Sequence, residues 1–197
     1  MKPILAMSYD YNRKVVGDIA QLAARRYAEF HGMEFRIIVP PIEESPWWYK
    51  VGAAYSCYDA PWVAVIDADV LMRKPCAENA IPVPKHIGMS VNWAGICTGF
   101  MVSANTVIAL KLLQTWKAVG ESVHERFNHS PHDEASLKIL AANFKWINKA
   151  IARIPANLVS SPEHREVGTV AHHFVASNKN QLHLASEMMT MFIGDEQ

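Results

Sequence analysis

Asp67 and Asp69 interrupt an apolar run over residues 62–72, with Trp-Val-Ala-Val-Ile before them and Val-Leu-Met after. The β-branched content predicts a buried parallel strand. Ionised carboxylates are rarely buried without a partner. On an extended backbone, residues two apart point to the same face, so both acids would share one side. Two carboxylates placed that way imply a cation between or beside them. A second chemistry-bearing stretch closes another apolar segment: His172, His173 and Phe174, with Lys179 six residues past His173. Two carboxylates and one imidazole suit Mn²⁺ or, less ideally, Mg²⁺, and Lys179 is placed to neutralise a phosphate near that ion. Each piece also has a plainer reading: acids facing solvent at a strand end, a satisfied core histidine, a solvated lysine.

Asp133 carries the same double reading. Ser130 as N-cap and Pro131 at the first helical position put Asp133 at the third, where an acid completes a capping box. Alternatively its carboxylate reaches into a ligand pocket. His124, His129 and His132 gather nearby in sequence, without a zinc spacing.

The elements that must position these residues follow from periodicity. Residues 3–7 form a short apolar strand, and the polar Ser8, Tyr9, Asp10 and Tyr11 follow at its carboxyl end, where open α/β sheets place ligand contacts. Ile19, Leu22, Ala23, Tyr27 and Phe30 recur at helical spacing up to Gly32. Residues 34–39 read as a second strand, broken by Pro40 and Pro41. Ser45 and Pro46 open a helix with Val51, Ala54, Tyr55 and Tyr58 on one stripe. The order β-α-β-α-β predicts a mostly parallel sheet. Strands are expected at 87–91, 95–102, 152–158 and 169–175. Asn105 is expected to cap a helix carrying Ile108, Leu112, Trp116 and Val119, closed by Gly120. Another helix, opened at Ser130, carries Leu137 and Leu140, and residues 180–193 form a Met-rich helical tail.

Composition narrows the class. The chain has 197 residues, half of them hydrophobic, with zero formal net charge, which fits one globular domain. Neutrality argues against nucleic acid as the main partner. Cys57, Cys76 and Cys97 lack a CxxC spacing and read as free thiols of a reducing compartment. No run approaches a membrane span and residues 4–7 are too short for a signal sequence, so a cytoplasmic location is expected.

Taken in order, these pieces resemble a family, the GT-A-fold glycosyltransferases of the glycogenin type, related to retaining galactosyl- and xylosyltransferases. Lys50, in Trp48-Tyr49-Lys50-Val51, precedes the acids at about the family's spacing. Asp67-Ala68-Asp69 is similar to its D-x-D. Cys97-Thr98-Gly99-Phe100-Met101 is similar to its N-S-G-x-F/V strand, and His132-Asp133-Glu134 to its D-Q helix start. His173-Phe174 followed by Lys179 keeps the spacing of H-F-x-G-x-x-K. Ala176 stands for the usual Gly, Thr98 for Ser and Glu134 for Gln.

The resemblance implies an α/β, Rossmann-like GT-A fold in a single domain over residues 1–197, with residues 180–197 as a helical tail. It implies a nucleotide-sugar donor, a UDP-sugar first of all, and a glycan or other hydroxyl acceptor, with retention at the anomeric carbon. Asp67, Asp69 and His173 would hold Mn²⁺ or Mg²⁺. Ser8, Tyr9, Asp10, Tyr11 and Lys179 would bind nucleotide and phosphate. Asn92, Thr98, Asp133 and Glu134 would contact the sugar, with Asp133 and Lys50 in catalytic roles. Trp47, Trp48 and Trp93 are either stacking platforms for the acceptor or core residues. Two other functions use similar residues. A metal-dependent nucleotidyltransferase or phosphohydrolase would normally carry a Gly-rich loop after the first strand, and Ser8 to Lys14 has no Gly. A non-catalytic sugar-nucleotide binder needs only part of the site.

Overall fold

The computed structural model of the chain describes residues 1–9, 11–39, 48–92, 95–123, 132–160, 169–174 and 180–196. Strand β1 (Ile4–Met7) is buried along its whole length. Its alternate residues serve opposite layers: Leu5 and Met7 join one core, Ile4 and Ala6 the other. Strand β3 (Trp62–Ile66) divides in the same way, Ala64 and Ile66 from Val63 and Val65. Two buried faces explain why both strands read as unbroken apolar runs.

The main sheet has the order β2-β1-β3-β6-β5-β7. β2 (Glu34–Ile37) and β3 flank β1 in parallel. β6 (Gly95–Ala104) runs antiparallel to both β3 and β5 (Ile87–Asn92), and β7 (Ile151–Ile154) is parallel to β5. The sheet is therefore mixed, with one reversed strand in its middle. A smaller sheet, β4-β9-β8, is built from β4 (Val70–Met72), β9 (Ala171–His173) and β8 (Val159–Ser160).

Helix α1 (Lys14–Phe30) covers one face of the main sheet, and α6 (Gln181–Glu196) packs on it. Leu184, Ala185, Met188 and Met191 of α6 are core residues, so the Met-rich tail is a packing helix. Burying each such Leu or Met contributes roughly 1.5–3 kcal/mol. The other face carries α2 (Tyr49–Ser56), α3 (Val107–Val123), α4 (His132–Asn143) and α5 (Lys145–Ala150). No helix among the described residues is long and apolar enough to cross a membrane. The three cysteines are free, Cys57 and Cys97 being buried.

Several expectations are corrected. The run 62–72 is two strands in two sheets, joined by a turn at 67–69, so the two acids do not lie within one strand. Gly120 does not close its helix, since α3 continues to Val123. A Cβ at Gly120 would lie 1.8 Å from the Trp48 indole, so the glycine is there to admit that ring. Thr106, and not Asn105, caps α3: its hydroxyl accepts the Ala109 N–H at 3.2 Å, while the Asn105 amide donates to Tyr58 and Ala60 carbonyls. Leu22, Phe30, Tyr55 and Ile108 are exposed, because each helix buries a narrower stripe than its apolar spacing suggests. Helix α5 was not expected, and the strand after it ends at Ile154, before Pro155. β9 is shorter than expected, three residues. Residues 40–47, with the expected helix start at Ser45 and Pro46, lie outside the described residues, as do Trp47, Trp93, His124, His129 and Ser130.

Candidate active site

The turn at Asp67–Asp69 is tied to three strands through its backbone. The Asp67 N–H donates to the Gly99 carbonyl at 2.9 Å, and the Val70 N–H returns to the Asp67 carbonyl at 3.1 Å. The Phe174 N–H donates to the Asp69 carbonyl at 2.9 Å. The β4–β9 register then sets His173 opposite Val70, next to Asp69. Two residues a hundred positions apart are thus neighbours because two short strands pair.

The two acids have different partners. Asp67 Oδ2 accepts from Lys50 Nζ at 2.7 Å. The same ammonium lies 3.1 Å from Asp133 Oδ2 and donates to Thr98 Oγ1 at 3.2 Å, and Thr98 in turn donates to Asp133 at 2.6 Å. Lys50 comes from α2, Asp67 from the turn, Thr98 from β6 and Asp133 from the first turn of α4. Asp133 is 1% exposed and Lys50 8%. Burial disfavours the ammonium, and the Asp133 and Asp67 charges overcome it, holding Lys50 well above the usual lysine range. One cation thus shares two carboxylates. Asp133 Oδ1 is buried and has no hydrogen-bond partner among the described residues, a costly position for an acceptor.

Asp133 is anchored from behind. The Trp116 indole N–H donates to its carbonyl at 2.8 Å, as does Ser136 Oγ at 2.9 Å. Trp48, buried, meets Trp116 edge to face at 6.3 Å between centroids, so it is a core residue.

Asp69 instead faces His173, with 3.5 Å between Oδ1 and Nε2. The other imidazole nitrogen, Nδ1, is 3.4 Å from Cys97 Sγ. Burial lowers the imidazole pKa, but the bonds to Asp69 and Cys97 outweigh it and raise it to about 10. A Cβ on Gly99 would fall 2.5 Å from His173 Cε1 and 2.8 Å from Nε2, so the ring fits only because residue 99 has no side chain. Gly99 and Cys97 were not assigned roles from sequence. A glycine inside an apolar strand is the signal that another group approaches closely.

Among the described residues no three His, Cys, Asp or Glu side chains form a group that could hold a metal. Asp67 is engaged by Lys50, which leaves Asp69 and His173 as a two-ligand pair. Two protein ligands fit a hard divalent cation that completes its shell with phosphate oxygens and water.

At the carboxyl end of β1, Ser8 Oγ donates to the Ile38 carbonyl at 2.8 Å. The Tyr9 ring lies against Gly17, where a Cβ would be 2.6 Å away, and its hydroxyl donates to Asp18 at 3.1 Å. Tyr11 stands 87% exposed. A cavity of 570 Å³ opens beside this end, walled by Ser8, Ile38 and Val39 and by Tyr49, Tyr55 and Gln114 of α2 and α3. Glu134 pairs with Lys138 at 2.6 Å, one turn along α4. Asn92 ends β5, opposite Gly95. Asp10 and Lys179 lie outside the described residues, as do the side chains of Asn92 and His132.

No family model and no curated protein sequence matches the chain. Solved structures do. A glycosyltransferase involved in glycosylation of the major capsid of PBCV-1 superposes with a TM-score of 0.71 at 14% identity, over 96% of this chain and all of that one. Apo GlyE, a glycosyltransferase of Streptococcus pneumoniae TIGR4, gives 0.62 at 12% identity over the whole of this chain and 64% of GlyE. The galactosyltransferase LgtC, solved with donor and acceptor sugar analogues, gives 0.55 at 12% identity over 98% of this chain and 99% of its own. The α/β architecture of this chain, a mixed central sheet between helical layers, is that of the GT-A glycosyltransferases.

Proposed function

We propose that the chain, acting as one unit over residues 1–197, is a metal-dependent glycosyltransferase. It moves a sugar from a nucleotide diphosphate sugar, a UDP-sugar first of all, to a hydroxyl acceptor with retention of configuration. The observation that carries this reading is the paired arrangement at one turn. A Lys50–Asp67–Thr98–Asp133 cluster, buried except at Asp67, stands on one side of Ala68 and an Asp69–His173 pair on the other.

Asp69 and His173 would hold Mn²⁺ or Mg²⁺, with Asp67 joining by release from Lys50. When bound, the ion supplies Lewis-acid stabilisation of charge on the leaving diphosphate. Lys179, six residues past His173, adds a positive charge for the same phosphates. Ser8, Tyr9, Asp10 and Tyr11 receive the nucleoside at the carboxyl end of β1, where the adjoining cavity is of ligand size. Asp133, with one oxygen held by Lys50 and Thr98 and the other without a donor among the described residues, orients a sugar hydroxyl. Lys50 fixes that carboxylate in place beside the anomeric carbon. Asn92 and Glu134 would also contact the sugar in this reading, Glu134 by exchanging its bond to Lys138.

Calorimetric titration of UDP with and without Mn²⁺, followed by a screen of UDP- and GDP-sugars for hydrolysis or transfer, tests the proposal. Mn²⁺-dependent UDP binding that is lost in Asp69→Ala, with turnover of one donor, is expected. UDP binding indifferent to EDTA and to Asp69→Ala would remove the metal, and no turnover of any donor would reduce the protein to a binder.

A further inference from the structure

The chain is neutral as a whole, yet its charges are segregated. Residues 79–120 and 135–162 contain no Asp or Glu, while Lys85, Lys111, Lys117, Lys138, Lys145, Lys149 and Arg153 lie within them. The fold gathers several of these at one corner. Helix α5 follows α4 after the single residue Phe144 and leads directly into β7. β7 is an edge strand, where Arg153 pairs with Met89 of β5. Lys111 of α3 places its ammonium 5.3 Å from the centroid of the Trp146 ring. No ion pair among the described residues takes up Lys145, Lys149 or Arg153.

The same corner exposes apolar side chains. Phe144 is 48% exposed, and Trp146 and Ile139 are 36% exposed. α5 is held by Ile147 and Ala150, which are buried, so its other residues project. Aromatic rings beside lysines have the chemistry of the lipid headgroup boundary. There the rings enter the acyl edge and the ammonium groups meet anionic phosphates.

We propose that this corner, the end of α4 with α5 and β7, docks the protein on an anionic lipid bilayer. Each lysine brought to such a surface raises partitioning about fivefold. The neutral charge of the whole chain and the apolar side chains at the corner favour lipid over nucleic acid, whose binding domains are basic overall. This inference does not depend on the enzymatic reading.

Co-sedimentation of the full chain with phosphatidylcholine vesicles, plain or doped with phosphatidylglycerol, tests it. Binding to the doped vesicles alone is expected, falling as salt rises. The double variant Lys145→Glu/Lys149→Glu, with circular dichroism confirming its fold, should lower partitioning at least about tenfold. Phe144→Ser should weaken it independently, and brominated lipid should quench a fluorescence component that Trp146→Phe removes. Sedimentation equal on plain and doped vesicles, or unaffected by these variants, would overturn the proposal. So would capture of an RNA oligonucleotide with no quenching by brominated lipid.

Discussion

Asp67 and Asp69 are two residues apart and have opposite electrostatic settings. Asp67 faces a buried ammonium that also serves Asp133 and Thr98, a cluster supplied by four separate elements. Asp69 faces His173 across 3.5 Å, with both side chains 17% exposed. The first setting is closed: its cation is part of the protein, and removing Lys50 takes the partner from both carboxylates. The second is open, because an imidazole that releases its proton becomes a metal ligand, so the pair can take up a cation between them. One turn thus separates an element of architecture from a site for exchange.

The largest effect should come from breaking the closed side. Lys50→Met leaves the buried Asp133 and the partly exposed Asp67 without their cation and should cost about 3–5 kcal/mol of unfolding free energy, read by urea denaturation. A loss below about 1 kcal/mol, the scale of an exposed pair, would show that the cluster is solvated. Breaking the open side should act on ligand and not on fold. Asp69→Ala should weaken Mn²⁺-dependent UDP binding by at least about 100-fold, beyond what loss of a supporting group costs. Its effect on stability should be smaller than that of Lys50→Met, and the reverse ranking would exchange the roles assigned to the two acids.

Gly99→Ala sharpens the contrast from the backbone. Its Cβ would meet the His173 ring at 2.5 Å, and overpacking of this kind costs about 1–3 kcal/mol. Metal affinity should fall along with the melting temperature, and an unchanged calorimetric Mn²⁺ titration would disconnect Gly99 from the site. Thr98→Val is the mildest probe. It removes the hydroxyl that links Lys50 to Asp133 while keeping shape, and should cost about 1–2 kcal/mol with Mn²⁺–UDP affinity unchanged. If that affinity collapsed instead, the two sides of the turn would be one coupled site.

Much of this was legible from local pattern. β1 and β3 read as buried because both faces of each strand meet a core, so the apolar run needs no register to be recognised. The helices over residues 14–30, 107–123 and 132–143 follow from their spacing, although Leu22 and Phe30 show that an apolar residue at the right period can still face water. Glycine was the least legible residue. Gly120 reads as a helix stop and Gly99 as part of a strand, yet each is there to admit a ring from a remote segment, Trp48 or His173.

By itself the sequence determined the α/β class, the two acids misplaced in an apolar run, and the set of remote residues able to partner them. These follow from periodicity and from the cost of burying charge, which act over a few neighbouring residues. Only the tertiary structure decided which acid meets which partner. A strand break after Ile66 sends β3 and β4 into different sheets, the antiparallel β6 delivers Thr98 and Gly99 to the turn, and pairing with β9 brings His173. Strand pairing and register depend on contacts between segments far apart in the chain, and no local pattern encodes them.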